Sequence, residues 1–282
     1  MKKRLRSPQW SEVPQLRALW RDGFPEDSEA DVDSFLDCWF RPERCLVVCR
    51  GERLESAAHL FPAELLLEGR TAGEFLYLYG IVTASDCRRQ GNLHLLTDGA
   101  LALCASRGLS GIFLTPEVGK EGIYQKCGFS NMGDLGFREL RVSGDSAGES
   151  WTPCGYERYR VLRDRYLSSL PAAFRWTDAA DRFFYGDILR RGRVLVCGDR
   201  YAVLLEDGNG LRIQEANFPL TDSAVRRLCG ALGLRGTVTA AAPVPPAPPS
   251  DLRRECYGQV RLCPGILSGR QLAEGYVNLI GD

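Results

Sequence analysis

The stretch "CRRQGNLHLLTDGALALC", residues 87–104, is the feature that most restricts what this chain can fold into. It follows a β-rich run, "EFLYLYGIVT" at 74–83, and from Leu93 onward its apolar residues recur with helical spacing. A strand, a glycine turn and a helix in this order are typical of α/β layer folds. The helix would begin directly after Arg88 and Arg89, where an N-terminus normally carries Ser, Asp or Asn. Two cations at the positive end of a helix are unfavourable unless an anion binds between them.

The turn therefore predicts a site for a phosphate-bearing ligand. Backbone N–H groups of residues 88–93 would gather at the helix start, and Gly91 would let a ligand approach them closely, which predicts a pyrophosphate cradle. The turn is neither a Walker A loop nor the G-x-G-x-x-G dinucleotide turn, since its glycines and the missing lysine do not fit. The alternative, that Arg88 and Arg89 are solvated loop charges, stays open at this point.

The elements around the turn predict an α/β layered fold with a partly antiparallel sheet. Two helices are expected first, and the run at 45–49 should pair with the run at 54–69 as a hairpin. After the predicted helix, which Gly108 should cap, come a buried strand, a short helix and a final strand. The predicted segments are helices at 11–24 and 29–40, strands at 45–49, 54–69 and 74–83, a strand at 110–115, a helix at 119–129 and a strand at 137–142.

The second half of the chain loosely repeats this order of predicted helices and strands. The small, polar segment "SGDSAGES" at 143–150 predicts a boundary between a domain at 1–145 and a second domain at 151–282. No arginine-rich glycine turn occurs between Ile213 and Ala224, so the second copy is expected to be degenerate. Its predicted segments are helices at 156–170 and 177–189, strands at 193–197, 201–207 and 211–218, a helix at 221–232 and a strand at 236–242, followed by "PVPPAPPS", "CYGQVRLC" and "GYVNLIGD".

Composition excludes several classes of function. Thirty-six basic and thirty-six acidic residues cancel, which argues against nucleic-acid and membrane partners. No apolar run approaches 18 residues, and no signal peptide is recognisable. Eleven cysteines in an irregular pattern without C-x-x-C predict reduced, mostly buried thiols in a cytoplasmic protein. With only His59 and His94, neither a zinc site nor a histidine-based triad is expected.

Two motifs carry a resemblance to a known family. The run Arg88-Arg89-Gln90-Gly91-Asn92-Leu93 resembles the R/Q-x-x-G-x-G/A acetyl-CoA turn of GNAT superfamily N-acetyltransferases, with Leu93 in place of the last small residue. The run "GIYQKCGF" at 122–129 is similar to their second signature, and one helix and one strand separate the two. The resemblance covers about residues 10–145. It is strongest to the enhanced-intracellular-survival group of tandem acetyltransferases, whose second half is degenerate, and no sterol-carrier-like third domain is expected.

The resemblance implies two GNAT-like domains, each with a mixed, mostly antiparallel sheet flanked by helices. It implies acetyl-CoA as co-substrate, no metal, and a small-molecule or peptide amine as acceptor. Backbone N–H groups at the end of the strand would polarise the thioester carbonyl, and Tyr124 would protonate the departing thiolate. The implied cofactor-binding residues are Ile81, Val82, Thr83, Arg88, Arg89, Gln90, Gly91, Asn92 and Leu93.

Other interpretations of the same residues remain at this stage. Tyr124 could be a packed helix residue, and Tyr77 and Tyr79 are expected in the core or a pocket wall. Glu74, His59 and His94 are each either structural or the general base. The chain could also be a CoA-binding regulatory or interaction protein without turnover. Association between copies is left open.

Overall fold

The structure is a computed structural model that describes residues 2–144, 149–207, 210–243 and 252–264. These residues form two compact units. The first contains 2–64, 73–130 and 259–264, and the second contains 65–72, 131–144, 149–207, 210–243 and 252–258. The division into domains 1–145 and 151–282 stays a prediction. Of the segments named above, 145–148 in "SGDSAGES", 244–250 in "PVPPAPPS" and all of "GYVNLIGD" lie outside the described residues.

The first part of the chain follows the predicted order of elements, with one strand added at the start. A short helical turn precedes α1, and another, Ser85–Cys87, follows β4. The elements are β1 (Lys3–Arg6), α1 (Val13–Gly23), α2 (Glu29–Cys38), β2 (Cys45–Arg50), β3 (Arg53–Leu67), β4 (Arg70–Thr83), α3 (Asn92–Ser106), β5 (Gly111–Leu114) and α4 (Glu121–Gln125).

The rest of the chain contains more strands than the sequence predicts, since β7 and β8 are additional. The elements are β6 (Ser130–Val142), β7 (Thr152–Pro153), α5 (Tyr156–Ser168), β8 (Ala172–Trp176), α6 (Asp178–Arg191), β9 (Gly192–Cys197), β10 (Arg200–Asp207), β11 (Gly210–Ala216), α7 (Asp222–Ala231), β12 (Gly236–Pro243) and β13 (Arg253–Leu262).

The sheet of the first unit has the strand order β1-β2-β3-β4-β5-β13. Strands β1 and β2, β2 and β3, and β5 and β13 pair antiparallel, whereas β4 and β5 pair parallel. Parallel neighbours need a crossover, and α3 supplies it while packing against β1, β2 and β5. Its buried face carries Leu96, Ala100 and Cys104, and Gly108 follows its end with a φ of 71°. The predicted helix, its buried stripe and its C-terminal glycine are confirmed.

The second unit has the strand order β13-β6-β12-β11-β10-β9-β7. Here β11 and β12 pair parallel across α7, while β9 and β10, β10 and β11, and β6 and β12 pair antiparallel. Apart from β8, which lies between α5 and α6, the series α5, α6, β9, β10, β11, α7, β12 repeats the series α1, α2, β2, β3, β4, α3, β5. Both units are mixed, mostly antiparallel sheets flanked by helices, as predicted.

All eleven cysteines are free thiols, and eight of them are buried. Burial raises the pKa of the Cys104 thiol to about 12 and that of Cys229 to about 11. Such thiols stay protonated and inert at neutral pH. Within the described ranges, no helix is both long and apolar enough to cross a membrane.

Candidate functional site

Strand β4 extends beyond the region in which it pairs with its parallel neighbour β5. Pairing between β4 and β5 covers Phe75–Tyr77 opposite Gly111–Phe113, and β4 then continues to Thr83. The N–H of Ala84 donates to the Glu55 carbonyl on β3 over 2.9 Å. Because successive N–H groups of a strand point to opposite edges, those of Ile81 and Thr83 point away from β3. The buried Val82 between them accepts a hydrogen bond at its carbonyl from Ser56. The strand end thus offers donors on its open side.

A glycine with an unusual backbone conformation lies in β4 just before this open end. Gly80 has a φ of 56°, in the left-handed region that favours glycine. A Cβ added there would lie 2.9 Å from the Trp20 ring and 3.6 Å from the His59 ring. The close approach of α1 to β4 therefore requires a residue without a side chain. We infer that Gly80 fixes the direction of the Ile81–Thr83 segment.

The turn between β4 and α3 is open where a ligand would meet it. Gly91 is the N-cap of α3 with a φ of 80°, and a Cβ added to it would meet no atom within 4 Å. The first backbone hydrogen bond of the helix runs from Leu95 N–H to the Gly91 carbonyl. Among the residues that the structure describes, the N–H groups of 88–93 donate to no acceptor. They form the open N-terminal end of a helix, which attracts phosphate oxygens.

The two arginines of the turn are held differently. Arg88 donates from Nε to the Thr83 carbonyl over 3.2 Å and from Nη2 to the Asp22 carbonyl over 3.4 Å. These bonds tie the turn to the strand end and leave Nη1 available. Arg89 has a φ of 62°, unusual for a residue with a side chain, and it makes no hydrogen bond or ion pair to any described residue. Its guanidinium is therefore free to meet an anion.

A polar network around the buried Glu55 and Asn92 side chains supports the turn. The Lys3 ammonium donates to the Gln90 carbonyl over 2.8 Å and to Asn92 Oδ1. It lies 3.6 Å from the buried carboxylate of Glu55, which also accepts from Arg50 Nε over 2.7 Å. Burial raises the pKa of Glu55, but hydrogen bonds from Arg50 and Asn92 outweigh it, so the pKa lies below its ordinary value. Glu55 is thus ionised, and its charge holds the two cations.

The side chains of the predicted cofactor-binding residues therefore have different surroundings, and not all of them are available to a ligand. The Asn92 side chain is buried and bonded to Glu55 and to the Cys87 carbonyl, so only its backbone faces the turn. The Gln90 side chain accepts from Arg50 over 3.3 Å and donates to the Asp86 carbonyl. Leu93 is half-buried in the first turn of α3. Lys3, Arg50 and Glu55 carry no motif, so sequence reasoning missed them.

Tyr124 lies on α4, close to the start of α3. His94 Nε2, in the first turn of α3, is 3.2 Å from the Lys126 carbonyl just after α4. Because that carbonyl can only accept, Nε2 carries the proton in this contact. The Tyr124 ring packs edge-on to Phe129, with ring centroids 6.1 Å apart. Burial, aided by the charges of Glu117 and Cys127, raises the pKa of Tyr124 to about 12. Its hydroxyl is protonated at any physiological pH.

The three residues that could act as general base, His59, Glu74 and His94, are poorly suited to accept a proton from the amine. His59 is buried among the rings of Trp20, Phe35 and Phe40, and burial lowers its pKa to about 3. A ring with so little affinity for protons is a weak base at neutral pH. Glu74 is exposed near the start of β4, roughly 30 Å of strand from Thr83 at about 3.3 Å per residue. His94 is exposed and engaged with Lys126.

The arrangement combines an open helix N-terminus, two arginines and strand N–H donors within one segment of chain. This combination can hold a diphosphate at the turn and a polarised carbonyl at the strand end. In the described part of the chain, no group of three or more His, Cys, Asp or Glu side chains could hold a metal ion.

Comparison with known families relates this part of the chain to acetyltransferases. Residues 4–132 match the family model described as "Acetyltransferase (GNAT) domain". The part of the chain that carries the strand end and the turn is therefore similar to a GNAT acetyltransferase domain. Members of this family use acetyl-CoA. The matched range includes the strand end, the turn and Tyr124. A comparison with curated protein sequences found no match.

Solved structures with the same fold span both units of the chain. A GCN5-related N-acetyltransferase from Kribbella flavida is 17% identical, covering 93% of this chain and 71% of that chain at a TM-score of 0.72. One from Anabaena variabilis is 14% identical, covering 93% and 73% at 0.72. Eis1 from Mycobacterium abscessus, an enhanced-intracellular-survival-type acetyltransferase, is 14% identical, covering 93% and 73% at 0.65. At these identities the likeness shows the fold.

The place in the second unit that corresponds to the turn at 88–93 is built differently. Helix α7 is capped by Thr221, whose hydroxyl accepts from the Ala224 N–H over 3.3 Å, and it begins with Asp222. On β11, the counterpart of β4, the buried Glu215 accepts from Arg163 Nε over 2.9 Å and from Nη2 over 3.2 Å. The helix end is thus already capped and negatively charged, which disfavours phosphate.

Proposed function

We propose that the GNAT domain of this chain transfers an acetyl group from acetyl-CoA directly to an amine. The observation that carries the proposal is the open turn: the N–H groups of 88–93 donate to no described acceptor, and a Cβ added to Gly91 would meet no atom within 4 Å. Backbone N–H groups, Arg88 and Arg89 would hold the pyrophosphate of acetyl-CoA. Acetyl-CoA supplies the acetyl thioester.

The strand end would stabilise the charge that develops during transfer. The N–H groups of Ile81 and Thr83 point to the open side of β4, where they can donate to the thioester carbonyl oxygen as it becomes negative. Fixed donors of this kind need no reorganisation during the reaction. Gly80 and the hydrogen bonds of Val82 and Thr83 keep the segment in place.

Tyr124 is assigned the role of general acid. As the new C–N bond forms and the C–S bond breaks, its hydroxyl donates to the departing sulfur, which leaves as a thiol. The raised pKa keeps the hydroxyl protonated. The amine loses its proton to water or to a carboxylate in the acceptor site. The acceptor is a small-molecule or peptide amine, and the free thiols support a cytoplasmic location.

Replacement of Tyr124 by Phe tests this assignment. The change removes one hydroxyl and keeps the ring, so we expect kcat to fall by about 10²- to 10⁴-fold with KM for acetyl-CoA within about threefold. Release of free thiol is measured with a panel of small amines, peptides and aminoglycosides. Tyr185→Phe, which removes the same atom from the second unit, is the control. An unchanged kcat in Tyr124→Phe would return Tyr124 to a packing role, and acetyl-CoA binding without any turnover would favour a regulatory protein.

A further inference from the structure

We propose that Gln259 and Arg261 on β13 are positioning residues for Tyr124. The inference rests on the proposed function and extends it to a part of the chain outside both GNAT motifs. These two residues lie more than 130 positions after Tyr124, in the last described strand.

The end of β13 is built into the sheet of the first unit. It pairs antiparallel with β5, with Gln259 opposite Leu114 and Leu262 opposite Gly111. The Cys263 N–H continues the contact by donating to the Ser110 carbonyl over 2.9 Å. Gln259 and Arg261 are two residues apart, so their side chains lie on the same face of the sheet.

Those two side chains hold both ends of the segment that carries Tyr124. The Gln259 side chain is fully buried, and its Nε2 donates to the Glu121 carbonyl at the start of α4 over 3.3 Å. The Arg261 side chain lies against Gly128, where an added Cβ would be 3.2 Å from Nε. Its Nη1 is 2.6 Å from the carboxylate of Asp98 on α3.

Helix α4 spans only Glu121–Gln125, too few residues to hold its own orientation. Contacts from outside must therefore set the direction of the Tyr124 hydroxyl. A displacement of about 1 Å at a reacting group can reduce a rate by about 10²-fold, so loosening these contacts is expected to affect kcat.

A double-mutant cycle in the full chain tests the inference. Gln259→Leu and Arg261→Met, each made separately, are expected to lower kcat by about 5- to 20-fold with KM for acetyl-CoA within about twofold. In the Tyr124→Phe background the same changes are expected to lower kcat by less than about twofold, because the hydroxyl they position is absent. Arg254→Met is the matched control: Arg254 lies in the first half of β13 and pairs with Asp134 over 2.8 Å.

A measurement that does not need turnover separates this inference from the proposed function. With 3-fluorotyrosine incorporated, the ¹⁹F resonance assigned to Tyr124 is expected to move in Gln259→Leu and Arg261→Met and to stay in Arg254→Met. Equal losses of kcat with and without the Tyr124 hydroxyl, or an unmoved resonance in both variants, would overturn the positioning role. A wild-type chain that acetylates no amine would refute the proposed function, and the resonance would still decide the inference.

Discussion

Lys3 on β1 donates a hydrogen bond to the carbonyl of Gln90 over 2.8 Å, 87 positions further along the chain. Through this bond and its contacts with Asn92 and Glu55, the first strand supports the turn that faces the ligand. The N-terminal strand is therefore part of the support for the proposed acetyl-CoA site.

Replacement of Lys3 by Met should weaken both the fold and the site. The apolar stem is kept, but Glu55 loses one of its two cations and the Gln90 carbonyl loses its donor. We expect the free energy of unfolding to fall by about 1–3 kcal/mol and the Kd for acetyl-CoA to rise by about three- to tenfold. Thermal unfolding and calorimetric titration measure the two effects. Lys120→Met, which removes an exposed ion pair to Glu117, is the control, and equal behaviour of the two variants would contradict the account.

His59 should make stability depend on pH. The unfolded chain binds a proton at His59 below its ordinary pKa of 6.5, whereas the folded chain does so only below about 3. Between these values the unfolded state holds more protons, so stability falls as pH falls, by about 1.4 kcal/mol per pH unit. The difference in unfolding free energy between the wild type and His59→Phe should change with that slope from pH 6.5 downward. Parallel curves for the two proteins would show that His59 is not buried in its neutral form.

Loss of β13 should leave an exposed edge on β5. That strand, "GIFL", is apolar and buried, and without Gln259–Leu262 the N–H and C=O groups on the edge that faces away from β4 would be unpaired. A chain ended at residue 252, or a fragment of residues 1–148, is expected to aggregate or lose activity. The control is a chain ended at residue 264, which keeps β13. All three chains are compared by size-exclusion chromatography with light scattering. A truncated chain that elutes and turns over like the longer one would refute this.

Periodicity and turn chemistry predicted most of the first unit. Helix α3 was predicted because apolar residues recur at intervals of three and four, at Leu93, Leu96, Ala100, Leu103 and Cys104, and three of these are buried. The β2–β3 hairpin was predicted because only "RGE" separates two apolar runs. The relation between Gly91 and the start of α3 was also predictable, since it is local in sequence. The roles of Arg88, Arg89 and Tyr124 stay predictions.

What the sequence did not predict depends on contacts between distant residues. Strand β1 has the sequence "KRLR", in which Leu5 is the one apolar residue among three cations, so no strand pattern is recognisable. Leu5 packs against Gly99 on α3, where an added Cβ would collide with it at 1.9 Å. Pairing of β13 with β5 joins segments separated by more than 140 residues, and no local pattern indicates such a partner. The Lys3–Glu55–Asn92 network has the same origin.

The second unit should bind no acetyl-CoA. Its α7 begins with a Thr221 cap and Asp222 in place of an open glycine turn with arginines, so a phosphate would meet a filled helix end and a negative charge. Calorimetric titration of the full chain should show one binding site for acetyl-CoA. A substitution of Arg88 that abolishes this binding should leave no site. Two sites in the wild type, or one remaining site in such a variant, would mean that the second copy is functional.

Charge reversal at Arg88 tests the central claim most directly. Arg88→Glu places a carboxylate where phosphate oxygens should lie, and charged hydrogen bonds of this kind contribute about 1.5–3 kcal/mol each. Arg107→Glu makes the same change in the exposed residue just after the other end of α3 and serves as the matched control. In calorimetric titrations with acetyl-CoA, the account predicts a Kd more than about tenfold higher for folded Arg88→Glu, with Arg107→Glu close to the wild type. Unchanged affinity in a folded Arg88→Glu protein would contradict the assignment of the turn as the acetyl-CoA site.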